Sequence, residues 1–345
     1  MCDQGSSVIC FVIPPHILEH VIEHTKDAKV RRRALHNLRV QSQLRGMRVT
    51  FAQFSFAGLA TGTERRTIYD ANSRTSLPGK LERGEGERPV KDKAVNQAYD
   101  FCGVTYDFYM NRFQRNSVDG KGMRLDSSVH YDVDFDNALW NGQQMVYGDG
   151  DGRLFGSFTK CIDVVGHELT HGVTQFTAAL DYHDQSGALN ESMSDVFGIM
   201  IKQAVKGQTA ATSDWLIGEG LFIPKAGTNR KALRSMEAPG TAYNDPELGP
   251  DPQVGHMKNY YKGSDDNGGV HINSGIPNRA FCIAAKKIGG RTWDVAGRIW
   301  YEVLTTHLQP SSQFAEAAAA TREVAQKYGA RAAKAVDTGW KSVGL

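Results

Sequence analysis

The stretch Val164–Val173, which reads VVGHELTHGV, restricts the fold of this chain more than any other part of it. An apolar, helix-compatible run carries His167 and His171, four positions apart, with Glu168 between them. Positions i and i+4 share one helix face, so the two imidazoles can offer nitrogens to one ion. Glu168 lies one residue round, close to that face without competing for the same place. It is positioned to take a proton from a water that a metal activates. Taken alone, the run also suits a helix that merely turns a polar edge to water, because this spacing arises by chance in long helices.

A third ligand would decide between the two. The segment GALNESMSDVFG, residues 187–198, starts a second helical pattern with Asn190 and Glu191. Glu191 can meet the histidines if two helices pack antiparallel across a short connection, so the site constrains the fold. Asp195 follows four residues later on the same face and can accept the spare ring N–H of a ligating histidine. Acids early in a helix are also favoured by the helix dipole, a reading that weakens beside HELTH. In DDNGGVHINSG, residues 265–275, His271 follows a Gly-rich turn. Asp266 can orient its ring and leave a donor for a developing oxyanion.

The remaining sequence supplies a two-part frame. A chain of 345 residues, 40% hydrophobic and 23% charged, has material for about two domains and a sizeable core. A net charge of +2 gives no footing for nucleic acid or a membrane surface. No apolar run approaches the roughly 18 residues of a membrane span. The N-terminus lacks a positive region and is interrupted by Pro14-Pro15, so no secretory signal peptide is recognisable. Cys2, Cys10, Cys102, Cys161 and Cys282 are scattered, odd in number and without a CxxC pair, which predicts no disulfide framework.

Pro14-Pro15 can open a helix, and a second is predicted at about Val30–Arg45. Strands and hairpins are predicted in RVTFAQFSF (48–56) and RRTIYDA (65–71), then a helix over 92–113. Strand signals return in SSVHYDVDFDNALWNG and QQMVYGDGDGRLFG. Beyond Lys160 helices are predicted at 160–178, 189–206, 275–288, 292–307, 311–328 and 330–342. A strand-rich half followed by a helical half predicts an α+β protein with a cleft between them.

These residues together resemble the thermolysin family of zinc metalloproteases. The resemblance runs from about Arg66 to Leu345. It includes DNALWNGQQMVYGDGDG, VVGHELTHGVTQ, SGALNESMSDVFG, DWLIGEG, ALRSM, DNGGVHINSGIPNRAF and AVDTGWKSVGL in the family's order. It implies a two-lobed zincin with a strand-rich N-terminal lobe, a helical C-terminal lobe and the active-site cleft between them. By resemblance His167, His171 and Glu191 bind Zn2+, and Glu168 is the general base. Tyr182 and His271 stabilise the tetrahedral intermediate, with Asp266 orienting His271. Asn137 and Ala138 hold the substrate backbone, and Arg234 faces a substrate carbonyl. Phe155, Val164, Ile217, Leu221 and Leu233 line the pocket for the residue after the scissile bond. An apolar pocket there implies cleavage of protein or peptide substrates before Leu, Phe, Ile or Val. The implied enzyme is a zinc metalloendopeptidase, expected to be a monomer.

Two departures from the family pattern stand out. At its calcium cluster Asp163, Asp214 and Glu219 match, but Lys202 and Leu216 occupy other ligand positions. An ammonium cannot ligate a cation and brings charge of its own, so calcium is expected to be absent. The second departure is a short N-terminal segment containing Pro14-Pro15-His16-Ile17-Leu18. It resembles the short-propeptide branch typified by protealysin, whose mark is a Pro-Pro-x-Leu-like element, here one residue looser.

That likeness implies that residues 1–50 are an inhibitory propeptide, removed on maturation at a boundary near Arg45–Ala57. Pro14, Pro15 and Leu18 would plug the cleft, ahead of catalytic lobes over 51–180 and 181–345. The plainer reading of the prolines is a helix start without an inhibitory role. Cys10 offers a further idea, a thiolate that caps the zinc until removal, which the sequence leaves open. The expected location is outside the cell by a route without a recognisable signal peptide, with the cytoplasm as the alternative. An exopeptidase would need an acidic anchor for a free amine, which the sequence does not reveal. A binding protein with structural zinc would leave Glu168, Tyr182 and His271 without a use.

Overall fold

The computed structural model describes residues 10–51 and 63–345. α1 (Pro15–His24) begins on the two prolines, where a missing N–H costs no helical hydrogen bond. α2 (Ala28–Phe51) packs against it. Then come β1 (Arg66–Asp70), β2 (Lys80–Arg83), α3 (Lys93–Phe113), β3 (Leu125–Val129), β4 (Ala138–Trp140) and β5 (Met145–Tyr147). α4 (Ile162–Gln175) and α5 (Asp184–Lys206) follow. Five short strands come next: β6 (Leu216–Ile217), β7 (Asn229–Arg230), β8 (Arg234–Ser235), β9 (Tyr243–Asp245) and β10 (Gly249–Pro250). The chain ends in α6 (Asp265–Asn273), α7 (Gly275–Ile288), α8 (Ala296–Thr306), α9 (Phe314–Ala325) and α10 (Ala330–Lys341). This is the expected α+β arrangement, strand-rich first and helical afterwards. No helix among the described residues is long and apolar enough to cross a membrane.

The main sheet runs β2-β1-β3-β5-β4, parallel between β1, β3 and β5 and antiparallel at both edges. β4 is therefore an edge strand, and an edge presents backbone groups to any extended segment that lies beside it. α4 and α5 pack closely because neither puts a side chain at the tightest points. A Cβ on Gly198 would stand 2.6 Å from the Asp163 carbonyl oxygen, and one on Gly166 2.8 Å from Ile201 Cδ1. That approach sets Glu191 of α5 beside the two histidines of α4. Val12, Ile13, Ile17, Leu18, Val21, Val30 and Ala34 of the N-terminal segment are buried in the same apolar cluster as Val164, Leu169 and Phe197.

Several local expectations are corrected. Arg48–Phe51 is the end of α2, not a strand, and the rest of RVTFAQFSF lies outside the described residues. Alternation over a few residues is a weak signal, and lengthening an existing helix costs less than starting a new element. α5 starts at Asp184 rather than near 189, and α8 at Ala296 rather than near 292. The Gly-rich turn is present: Asp266, Asn267, Gly268 and Gly269 have φ of 53°, 53°, 81° and 76°. Glycine takes such left-handed angles without penalty, and Asp and Asn tolerate them. His271 follows in helical conformation and is buried, so it is no loop histidine.

His130, beside the end of β3, bridges Asp149 (2.7 Å) and Asp92 (2.9 Å), and Asp92 caps α3. Its bonds to Asp149 and Asp92 raise its pKa from 6.5 to about 9, against partial burial. A folded-state pKa above the unfolded one means stabilisation that is full below pH 6.5 and lost as pH rises through about 9. His130→Gln should therefore lower the melting temperature clearly at pH 6 and hardly at all above pH 9. Thermal melts at the two pH values check this.

Candidate metal centre and cleft

The hydrogen bonds of the two histidines turn their Nε2 atoms toward each other. His167 Nδ1–H donates to Asp195 Oδ1 (2.8 Å), and His171 Nδ1–H donates to Asn190 Oδ1 (2.9 Å) and Ser194 Oγ (3.0 Å). With that proton on Nδ1, each ring in its neutral form presents a lone pair on Nε2. The two Nε2 atoms are 3.1 Å apart; Glu191 Oε2 lies 3.4 Å from that of His167 and Glu191 Oε1 3.4 Å from that of His171. Three electron-rich groups this close repel one another unless a cation sits between them. Ligand atoms roughly 2.0–2.1 Å from a tetrahedral ion stand about 3.3 Å apart, which matches the spacing of these groups. Two imidazoles and one carboxylate are also a donor set that zinc favours.

Asp195 holds other groups besides His167. Arg234 donates to it through Nε and Nη2 (both 2.8 Å), and Asn278 Nδ2 adds another bond (2.8 Å). Burial opposes its charge, yet Arg234 and His167 hold its pKa down to about 2. The third nitrogen of Arg234, Nη1, is buried and makes no hydrogen bond. Glu168 is similarly divided. Its Oε2 accepts from the Trp140 N–H (2.8 Å), while buried Oε1 makes no hydrogen bond, and burial pushes its pKa up to about 8.

On the opposite wall Tyr182 donates its hydroxyl proton to Glu191. His271 Nδ1–H donates to Asp266 Oδ1 (2.7 Å), the partner expected for it. Its Nε2 lies 3.3 Å from the Tyr182 hydroxyl and 3.4 Å from Glu191. Burial works against charge on this ring, but Asp266 and Glu191 prevail and raise its pKa. Phe155, Val164, Ile217, Leu221 and Leu233 are all buried in one apolar cluster with Val12. β6 pairs with β8 so that Ile217 stands opposite Arg234.

Asn137 and Ala138, expected to hold a substrate backbone, hold the chain's own N-terminal segment. Val12 N–H donates to the Ala138 carbonyl (3.2 Å) and Ile13 N–H to Asn137 Oδ1 (2.9 Å). Asn137 Nδ2 donates to the Ile13 carbonyl (3.2 Å), and His271 Nε2–H to the Phe11 carbonyl (3.2 Å). Pro14, Pro15 and Leu18 were expected to plug the cleft; the backbone hydrogen bonds to its walls come from Phe11, Val12 and Ile13, which no expectation named. Pro14 is extended ahead of α1, and Leu18 is buried in the apolar cluster that holds Phe155, Val164, Ile217, Leu221 and Leu233. The apolar run ICFVI before the prolines was the available signal.

At the cluster where calcium ligands were sought, Lys202 Nζ lies 3.0 Å from Asp214, 3.4 Å from Glu219 and 3.8 Å from Asp163. It also donates to the Leu216 carbonyl (2.9 Å).

Residues 45–175 match the thermolysin metallopeptidase catalytic domain, and residues 178–345 match its α-helical domain. The chain belongs to the thermolysin metallopeptidase family. It is 47% identical over 342 residues to an extracellular metalloprotease of Pectobacterium carotovorum subsp. carotovorum, covering 99% of this chain and 97% of that one. To thermolysin of Alicyclobacillus acidocaldarius subsp. acidocaldarius it is 42% identical over 272 residues, 76% of this chain and 47% of that one. Among solved structures it is similar to the precursor of protealysin, a metalloproteinase from Serratia proteamaculans. There the TM-score is 0.88 and the identity 49%, over 97% of this chain and 99% of that chain. As a thermolysin-family member the chain is a zinc metalloendopeptidase.

Proposed function

We propose that this thermolysin-family chain is a latent precursor and that residues 1–50 are its propeptide. The mature enzyme, with lobes over 51–180 and 181–345, cleaves internal peptide bonds before apolar residues. The observation that carries this reading is the path of Phe11–Ile13 along Asn137, Ala138 and His271, beside the His167, His171 and Glu191 triangle. The segment lies where a substrate backbone would lie.

Zinc held by His167, His171 and Glu191 would supply a Lewis acid that activates water and polarises the scissile carbonyl. Glu168, fixed through Oε2 and open at Oε1, takes the proton of the attacking water and passes it to the leaving amine. Tyr182 and His271 donate to the oxyanion, His271 being held for this by Asp266. Arg234 offers Nη1–H to the carbonyl of the residue after the cut, and Asp195 keeps both Arg234 and His167 in place. Phe155, Val164, Ile217, Leu221 and Leu233 then select Leu, Phe, Ile or Val at that position.

The name of one relative, an extracellular metalloprotease, supports action outside the cell. The mature enzyme acts as a monomer. Lys202 takes the place of calcium by setting an ammonium among the cluster's three carboxylates.

Purified precursor incubated with and without a chelator tests the reading. Mass measurement should find products that begin between Arg45 and Ala57 only where chelator is omitted. Trimming that ignores the chelator, or full peptidase activity of the intact chain, would overturn it.

A further inference from the structure

We propose that Cys10 ligates the zinc of the precursor through its sulfur and fills the coordination corner that the attacking water needs. This inference rests on the reading that His167, His171 and Glu191 hold the metal.

The ligand atoms of Cys10, His171 and Glu191 all lie within 4.8 Å of one another. Cys10 is buried and packs with Tyr182 and Val270, on the wall of the same centre. Its place is dictated by its neighbours, since the next three residues are tied by Phe11 to His271, Val12 to Ala138 and Ile13 to Asn137. With consecutive Cα atoms about 3.8 Å apart, a backbone so pinned leaves the sulfur little freedom to turn elsewhere.

A second, independent feature points to a cation there. Glu191 is 1% exposed, yet its Oε2 makes no hydrogen bond and lies 3.4 Å from the Nε2 atoms of His167 and His271, while Oε1 lies 3.4 Å from that of His171. A buried carboxylate oxygen without a donor is costly unless a cation meets it. Two histidines and one glutamate leave a fourth tetrahedral place, which a thiolate fills well. As the sulfur–zinc bond forms, the thiol releases its proton to solvent and the water ligand departs.

The ligation also resolves a difficulty in the cleft. Phe11 presents its carbonyl to His271 while the Val12 N–H is held by Ala138, so the Phe11–Val12 bond is offered much as a scissile bond would be. With the water displaced by sulfur, that bond has no nucleophile. The segment can then occupy the cleft in substrate direction without being cut.

Zinc-edge X-ray absorption on the zinc-loaded Glu168→Gln precursor, which cannot process itself, tests this. One sulfur at about 2.3 Å is expected beside nitrogen and oxygen at about 2.0–2.2 Å. Both Cys10→Ser and Cys10→Ala in the same background should lose the sulfur shell while keeping stoichiometric zinc. Only nitrogen and oxygen in the parent, or sulfur that persists in both variants, would sink the inference and leave the zinc site standing. Failure of every one of these proteins to retain zinc would instead overturn the site reading, and the inference with it.

Discussion

Glu168→Gln leaves zinc in place and removes hydrolysis, lowering turnover by a factor on the order of 10²–10⁴, the usual contribution of a positioned acid or base. The amide can still accept from the Trp140 N–H, as Oε2 does now, so the helix and the ligand triangle have no reason to shift. Only the proton-accepting oxygen at the open side is lost. Metal content should match the wild type, and mass measurement should show a full-length chain. Hydrolysis of a peptide blocked at both ends should stay near background even after wild-type enzyme has trimmed the N-terminal segment and been removed. Self-trimming at the wild-type rate would remove Glu168 from its assigned role. The blocked peptide also separates an endopeptidase from an enzyme that needs a free amine.

The second large effect lies away from the cleft. Lys202→Met takes the positive charge from among Asp163, Asp214 and Glu219 and leaves a buried carboxylate uncompensated at Asp163. Breaking a buried ion pair on one side costs about 3–5 kcal/mol. Lys206 also reaches Glu219 (3.1 Å) and Asp214 (3.8 Å), and Asp214 is partly exposed, so the loss belongs near the lower figure. Thermal melting of the two proteins measures it. Under the proposed replacement of calcium by the Lys202 ammonium, added calcium should leave the wild-type melting temperature unmoved. A wild-type protein stabilised by calcium would contradict the replacement.

Much of this was legible in the sequence because it is local. His167, Glu168 and His171 share one helical turn, and Glu191 and Asp195 share another, so fixed spacing reports their geometry. Helix α7 falls where periodicity and the following glycines place it. What was missed depends on partners remote in the chain. Ile13 meets Asn137 across 124 residues and Phe11 meets His271 across 260, and no local pattern encodes such a pairing. An apolar run such as ICFVI looks the same whether it becomes a core strand, a leader or a strand laid in a cleft. The double use of Asp195, on His167 and Arg234 together, is likewise a property of packing, since Arg234 comes from β8 and not from either helix.

The bare backbone of Gly198 against the Asp163 carbonyl carries a consequence for the chemistry. The spacing of His167 and Glu191 is gauged by an omitted methyl group one and two helical turns away. Coordination bonds tolerate errors of tenths of an ångström, and an added Cβ would demand more than that. The placement of His167 and Glu191 is thus hostage to the bulk of a residue outside the centre.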